Sequence, residues 1–218
     1  DTRIGMPLTK LRLNQFSNTS LEKYTTLIMV SGSYDQLGKD EIKKIKKWVD
    51  RGNTLITIAT GSSWAINSKL IDETIVDPKI DAPYSRKNYA DAREFIGRDR
   101  IGGVILSADL DLTHPIAFGY NDLKIPVYKN NNVFINKTND DYSSVAIYSN
   151  DFHIDGYISE SNRKNFIPGA ASVIVSKIGK GRVIVFADNP NFRGTWYGTN
   201  KLFLNAIFLG NNISVPTD

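Results

Sequence analysis

The sequence predicts an α/β fold, and three features along the chain support that class. Residues 24–32 (YTTLIMVSG) form a short apolar run closed by a glycine, which is typical of a buried strand. Residues 39–52 place their apolar side chains on one helical stripe, and residues 53–61 (NTLITIATG) form a second apolar run. Near the C-terminus, two β-branched runs flank residues 179–181 (GKG), which predicts a β-hairpin. The strand, helix and strand at 24–61 predict a right-handed parallel crossover.

The helix predicted over residues 39–52 has matching signals at both ends. Asp40 and Glu41 lie in its first turn, where the helix dipole favours negative charge, and Gly52 stands just beyond its last turn. Its lysines are expected to form the solvated face of an amphipathic helix rather than a site for an anionic partner.

The remaining segments are less regular and predict short strands, loops and further helices. Strands are predicted at 104–108, 125–128, 132–136 and 144–149, helices at 87–99 and 200–209, and a polar surface loop at 148–159. Gly210 marks the end of the last helix. No internal repeat or linker interrupts the chain, so residues 1–218 are expected to form a single domain.

The composition excludes several functional classes. The chain has no cysteine, which rules out disulfides, thiolate metal sites and a cysteine nucleophile. A net charge of +4 is too small to hold a phosphate backbone, so no nucleic-acid partner is predicted. No apolar run approaches the roughly 18 residues needed to span a membrane. The chain begins with Asp1 and carries no signal-peptide pattern, which suggests an excised or mature piece of a longer protein.

Residues 58–66 (IATGSSWAI) predict a strand, a tight turn and a helix, and they raise the question of a nucleophile elbow. Such an elbow, G-x-(S/C)-x-G, holds its nucleophile on a strained turn. Here Gly61 precedes Ser62 and Ser63, and Trp64 stands where a second glycine would be wanted. Either serine could be a nucleophile. We expect instead that Gly61 permits the sharp turn, that one serine caps the following helix, and that Trp64 covers the adjacent surface.

A serine nucleophile would need a base and an orienting acid. His153 and Asp155 match the His-x-Glu spacing of triad glutaminases, and Glu160 is a second candidate acid, but the spacing is short enough to arise by chance in a surface loop. His114, which precedes Pro115, is expected to be a hydrogen-bonded loop residue. Two isolated histidines and scattered aspartates do not define a zinc site, so no metal ligands are predicted.

The densest set of unusual side chains lies in residues 187–200 (ADNPNFRGTWYGTN). Arg193, Trp196 and Tyr197 follow a buried strand, at the sheet edge where open α/β folds bind ligands. They are candidate binding residues. The alternative, which we favour, is a loop whose aromatic side chains pack on its own domain or on a neighbouring one.

Several segments resemble, in order, the C-terminal region of bacterial M14-type zinc carboxypeptidases. They are RIGMPLTKL, YTTLIMVSGSY, IKKWVDRGNTLITIATGSSW, DLTHPIAFGY and GKGRVIVFADNPNFRGTWYGTNKLFLNAIFLG. The resemblance implies a three-layer, mostly parallel sheet flanked by helices. It further implies a class I glutamine-amidotransferase-like (flavodoxin-like) fold with a C-terminal β-hairpin and helix. It also implies that the domain's first strand and helix precede Asp1.

The same resemblance implies where the chemistry of the parent protein lies. Its zinc and catalytic glutamate would belong to an upstream peptidase domain, in a periplasmic or secreted protein. The expectation is therefore a non-catalytic accessory domain without a cofactor of its own, which packs on that peptidase domain or extends its peptide-binding surface. The alternative is a serine hydrolase on the same fold that uses Ser62 or Ser63.

Overall fold

The fold is an eight-stranded mixed sheet with helices on both faces. A computed structural model describes residues 5–77, 88–92, 97 and 99–214. The strands are β1 (Thr26–Met29), β2 (Thr54–Ile58), β3 (Val104–Leu110), β4 (Lys124–Lys129), β5 (Ile135–Asn136), β6 (Ser144–Gly156), β7 (Ala170–Ile178) and β8 (Gly181–Phe186). The described α-helices are α1 (Lys39–Asp50), α2 (Thr60–Asn67) and α3 (Tyr197–Leu209).

The strands are arranged in the order β1-β2-β8-β7-β6-β3-β4, and β5 pairs with β7. Only the β1–β2 and β2–β8 pairs are parallel, whereas the other pairs are antiparallel. The prediction of a mostly parallel sheet is therefore wrong. One reason is the two-residue turn between β7 and β8, because so short a connection joins only antiparallel strands.

The strand, helix and strand predicted at the N-terminal end are confirmed as β1, α1 and β2. Helix α1 buries Ile45, Trp48 and Val49, and the Trp48 indole N–H donates to the Leu21 carbonyl oxygen at 2.9 Å. Strand β2 is buried along its whole length. The expectation that β1 is a buried strand is wrong for part of its length, because β1 lies at the edge of the sheet and leaves Ile28 38% exposed.

The predicted C-terminal hairpin and helix are also confirmed. Strands β7 and β8 pair from Val173 with Phe186 to Ile178 with Gly181. Helix α3 begins at Tyr197, three residues before the predicted start, and Gly210 stands at its C-terminal end.

Two apolar cores occupy the two sides of the sheet. Leu55 and Val185 pack against α1 and α2 on one side, while Ile56 and Ile184 pack against α3 on the other. Residues of β3, β4 and β6 extend the α3-side core across the antiparallel half of the sheet. The described chain therefore forms three layers, as the resemblance implied.

Two predictions on local structure need separate mention. The loop predicted at 148–159 is wrong over most of its length, because β6 continues to Gly156. Part of the helix predicted at 87–99 lies outside the described residues; within them, Tyr89–Asp91 form a 3-10 turn, and Ala92 and Gly97 are helical.

Candidate functional site

The candidate site lies at the carboxyl ends of the three parallel strands. Open α/β sheets bind ligands at this edge. Three segments meet there: residues 30–34 after β1, residues 59–63 after β2, and residues 187–197 after β8. The segment after β2 joins strand and helix without an intervening loop, as predicted for residues 58–66.

Ala59 occupies the strained position of the strand-to-helix junction. Its φ of 51° and ψ of −115° lie outside the regions that residues with a Cβ atom normally occupy. Its N–H donates to the Phe186 carbonyl oxygen at 2.8 Å, and helix α2 begins at the next residue. Nucleophile elbows hold their reactive residue on such a turn. In this chain the strained residue presents a methyl group, and it is only 3% exposed.

Gly61 allows the first turn of α2 to approach the end of β1. A Cβ atom at this position would lie 2.8 Å from the Met29 carbonyl oxygen and 3.0 Å from that of Val30. Both distances are shorter than the contacts that carbon and oxygen atoms normally make. Gly61 is thus required by the packing of α2 on β1. Its predicted role in the sharp turn is wrong, because the strained turn lies at Ala59 and Gly61 already belongs to the helix.

Thr60 ties the elbow to the segment that follows β1. Its hydroxyl accepts a hydrogen bond from the Gly32 N–H at 2.8 Å and donates to the Gly32 carbonyl oxygen at 3.0 Å. The Ser31 hydroxyl lies 3.0 Å from the Thr60 hydroxyl oxygen. These exposed groups form the polar rim of the site, and their hydrogen bonds hold the two segments together.

Ser62 binds helix α2 to the end of β8. It is fully buried, and its hydroxyl lies 2.8 Å from the Phe186 carbonyl oxygen, to which it donates, and 3.0 Å from the Thr57 hydroxyl oxygen. No side chain caps the start of α2, so the predicted serine cap is wrong. Ser63 is half-buried, as is Trp64, whose ring packs against that of Tyr34 at 5.7 Å.

Replacing Ser62 tests this structural role. Ser62→Ala is expected to lower the free energy of unfolding by about 1 kcal/mol, because a buried hydrogen bond to β8 is lost. Urea unfolding followed by tryptophan fluorescence measures the change. Ser63→Ala is the matched control and should stay within about 0.5 kcal/mol of the parent chain. Equal losses in the two variants would contradict the assigned role.

The structure does not bring the proposed triad together. His153 lies on β6, three strand positions from β2 and therefore about 14 Å away across the sheet. Its Nε2 atom lies 2.7 Å from the Gly156 carbonyl oxygen, and the Asp155 carboxylate accepts from the Gly156 N–H. Glu160 pairs with Lys164 at 2.9 Å on the surface. None of these contacts orients an imidazole towards a serine.

A buried ion pair that the sequence did not reveal lies beside the elbow. Asp188 follows β8 by two residues, and its carboxylate lies 3.0 Å from the Lys129 ammonium. The same carboxylate accepts hydrogen bonds from the Tyr148 and Ser172 hydroxyls. The Lys129 ammonium also donates to the Val133 carbonyl oxygen at 2.6 Å. This network fixes the end of β8 against β4 and β6.

Burial controls the protonation of this network. Removal from water lowers the pKa of Lys129, and the neighbouring carboxylate of Asp188 partly offsets that effect. Burial also raises the pKa of Tyr148 well above its usual value, and the Asp188 charge adds to the increase. The phenol therefore stays protonated as a donor. Because all these side chains are enclosed, the network is suited to stabilising the fold.

The loop after β8 packs largely on its own domain. Phe192 stacks on Tyr128 with ring centres 4.0 Å apart, and the Trp196 indole N–H donates to the Pro126 carbonyl oxygen at 3.2 Å. Arg193 is exposed, with its guanidinium 5.2 Å from the centre of the Phe192 ring. Tyr197 is 67% exposed. Of the three candidate binding residues, Arg193 and Tyr197 thus present surface at the site, whereas Trp196 mainly holds the loop.

His114 is the hydrogen-bonded loop residue that the sequence predicted. It is buried, and its Nδ1 atom accepts from the Ile116 N–H at 3.1 Å at the start of a 3-10 turn. Burial lowers the pKa of His114, although the nearby Asp111 carboxylate opposes the change. The imidazole is therefore held neutral, with Nδ1 as the acceptor.

This arrangement predicts a pH dependence of stability. The unfolded chain binds a proton at His114 near pH 6.5, whereas the folded chain binds it only at lower pH. Stability is therefore expected to fall as the pH drops below about 6.5. Urea midpoints measured from pH 8 to pH 5 should decline less for His114→Asn, which retains an acceptor but does not titrate. Parallel declines in both proteins would contradict the prediction.

Metal binding has no support among the described residues. Within ranges 5–77, 88–92 and 99–214, no group of three or more histidine, aspartate or glutamate side chains is placed to hold an ion.

None of the described helices combines the length and apolar character that crossing a membrane demands.

Comparisons with known proteins establish the fold. No protein-family model and no curated protein match the chain. A structure of PurLQS from Thermotoga maritima is similar with a TM-score of 0.52 and 15% identity, over 87% of this chain and 82% of that one. A ThuA-like protein from Parabacteroides merdae is similar with a TM-score of 0.52 and 12% identity, over 92% of this chain and 76% of that one. A cytoplasmic protein from Salmonella typhimurium is similar with a TM-score of 0.50 and 13% identity, over 92% of this chain and 75% of that one.

These similarities define the class to which the architecture corresponds. The chain has a mixed α/β sheet with flanking helices, a fold that it shares with the PurLQS structure and the ThuA-like protein. At identities of 12 to 15%, they establish the fold alone.

Proposed function

We propose that this chain is a non-catalytic, glutamine-amidotransferase-like domain that acts through binding. The observation that carries the proposal is Ala59, which holds the strained conformation of an elbow while presenting a buried methyl group. A methyl group cannot attack a carbonyl carbon, and its burial leaves no approach for a substrate. The nearest hydroxyls serve other bonds: Ser62 to β8, and Thr60 to the segment after β1.

The remaining elements of a hydrolytic site are also missing around Ala59. His153 lies across the sheet, and His114 is buried in a separate loop with Nδ1 committed to a backbone N–H. The nearby carboxylate, Asp188, is enclosed with Lys129. A nucleophile, a base and an orienting acid must lie within hydrogen-bond reach of one another. The described residues do not provide that set at the elbow.

An activity assay tests the absence of catalysis. The purified chain is expected to take up no fluorophosphonate probe and to release no product from amide, ester or peptide substrates in the presence of a chelator. Covalent labelling that is abolished by Ser62→Ala or Ser63→Ala, with the fold intact by circular dichroism, would support the serine-hydrolase alternative and overturn the proposal.

The proposed partner is an upstream zinc carboxypeptidase domain in the same polypeptide, in a periplasmic or secreted protein. The sequence resemblance to M14-type enzymes motivates this part. Zinc would belong to that domain, since this chain offers no described ligand set. The reading frame upstream of Asp1 tests it: an H-x-x-E motif followed by a later histidine is expected. Its absence would remove the carboxypeptidase assignment and leave the non-catalytic reading of the elbow in place.

The surface formed by Arg193 and Tyr197 is the proposed contact for peptide or for the peptidase domain. In the full-length protein, Arg193→Ala and Tyr197→Ala are expected to raise KM for peptide with little change in kcat, because they alter binding rather than chemistry. Tyr89→Ala is a control, since Tyr89 is 96% exposed and lies in a separate segment. Equal effects of all three substitutions would argue against a specific contact.

A further inference from the structure

A cavity of about 400 Å³ lies at the end of the sheet opposite the elbow. It borders the last residues of β7, which runs antiparallel to β8, so it lies beside the start of β8 and not at the carboxyl ends of the parallel strands. Its other walls come from helix α1, the segment after α2, and the segment between β5 and β6.

Ser143 places an unused hydroxyl at the wall of this cavity. The residue is 3% exposed, and both of its backbone polar groups are satisfied, by the Asp140 carbonyl oxygen and the Val175 N–H. The hydroxyl itself has no hydrogen-bond partner among the described residues. Burying a hydroxyl without a partner is unfavourable, so the cavity is suited to an occupant that forms a hydrogen bond with Ser143.

Glu73 presents an oriented negative charge to the same cavity. One oxygen of its carboxylate accepts from the Ser176 hydroxyl at 2.6 Å, and Ser176 is only 7% exposed on β7. Within the described part of the chain, no lysine or arginine forms an ion pair with this carboxylate. Ser176 therefore fixes the direction of the carboxylate without neutralising its charge.

Lys46 gives the cavity a positive charge on the wall formed by α1. It is exposed and forms no ion pair with a described carboxylate, although Asp72, Glu73 and Asp140 border the same cavity. Charges of both signs thus line the cavity without pairing with one another.

This combination limits the kind of ligand. A simple anion would be repelled by the carboxylates, and no three acidic or histidine side chains of the described residues are placed to hold a metal ion. A small zwitterion can pair with both signs of charge. Leu70, Ile71 and Ile178 also border the cavity and offer contacts to an apolar group.

We propose that the cavity binds a free α-amino acid with an apolar side chain. The ammonium group of the ligand pairs with the Glu73 carboxylate, and its carboxylate pairs with the Lys46 ammonium and accepts from the Ser143 hydroxyl. The site lies at the other end of the sheet from Arg193 and Tyr197. Its occupancy does not depend on the peptidase partner proposed above.

Titration of the ¹⁵N-labelled chain with L-leucine tests the class of ligand. Saturable changes in amide chemical shift are expected at residues 138–143 and 176–178. N-acetyl-L-leucine lacks the ammonium group and L-leucinamide lacks the carboxylate, so each is expected to bind about tenfold more weakly than L-leucine.

Two substitutions separate the two charges of the site. Lys46→Met and Glu73→Gln are each expected to weaken binding of L-leucine about tenfold. Lys46→Met should bind L-leucine and L-leucinamide equally, whereas Glu73→Gln should bind L-leucine and N-acetyl-L-leucine equally. Lys43→Met is the matched control, because Lys43 is exposed on α1 and does not border the cavity. Circular dichroism checks that each variant is folded.

The opposite results are equally specific. Absence of any shift up to the solubility limit of L-leucine would overturn the proposal, and so would equal affinities of the parent chain for L-leucine and both blocked analogues. Equal binding by Lys43→Met and Lys46→Met would exclude the assigned carboxylate contact. Shifts confined to residues 187–197 would place the ligand at the elbow and would also overturn the proposal.

Discussion

Asp188→Asn is expected to lower the free energy of unfolding by about 3–5 kcal/mol, because it leaves the Lys129 ammonium buried without its anion. Both side chains are almost fully enclosed, with exposures of 0% for Lys129 and 4% for Asp188. The Tyr148 and Ser172 hydroxyls would also lose a charged acceptor. Urea unfolding followed by circular dichroism measures the loss.

An exposed ion pair serves as the control that tests whether the loss of stability depends on burial of the charges. Glu160 and Lys164 form an ion pair with exposures of 71% and 68%, so Glu160→Gln should change stability by less than about 0.5 kcal/mol. Lys129→Met combined with Asp188→Asn should be less damaging than the sum of the two single changes, since the two groups are in contact. A loss below about 1 kcal/mol for Asp188→Asn would contradict the assigned role.

Gly181→Ala is the second substitution expected to have a large effect. A Cβ atom there would overlap the Val49 and Asn53 carbonyl oxygens, both of which belong to backbone that cannot move aside independently. The hairpin would have to shift away from the end of α1, which removes pairing between β8 and β2. We expect a loss of about 3 kcal/mol, at the upper end for overpacking, measured by thermal and urea unfolding.

Gly102→Ala provides the comparison for that result. Gly102 is exposed, and a Cβ atom there would meet no heavy atom within 4 Å. Its substitution should stay within about 0.5 kcal/mol of the parent chain. Equal stability of the two alanine variants would contradict the prediction that the close approach of the hairpin to α1 leaves no room for a Cβ atom at Gly181.

The sequence predicted the elements that depend on local pattern. Helix α1 and the β7–β8 hairpin follow from periodicity and turn residues that lie within a few positions of one another. The parallel pairing of β1 with β2 follows from the helix between them. Strand order does not follow in this way, because the contacts that place β1 at an edge and β6 beside β3 are distant in sequence.

The sequence identified the segment that joins β2 to α2, but not the residue at its strained position. In the elbow pattern G-x-(S/C)-x-G, the reactive residue precedes the second glycine by two positions. Counting back from Gly61 as that second glycine reaches Ala59, whereas treating it as the first glycine led to Ser62 and Ser63. The ion pair of Lys129 and Asp188 had no comparable signal, because its two members are remote in the chain and each stands in an ordinary local context.

The position of β8 in the sheet has a consequence for synthesis of the chain on the ribosome. This strand joins the parallel half, through β2, to the antiparallel half, through β7, yet it is the last of the described strands to be made. Its partner β2 emerges more than half a chain length earlier. During synthesis, β1, α1 and β2 therefore emerge while one edge of β2 still has no partner strand. The two halves of the sheet can form a single cooperative unit only after Phe186 has left the exit tunnel.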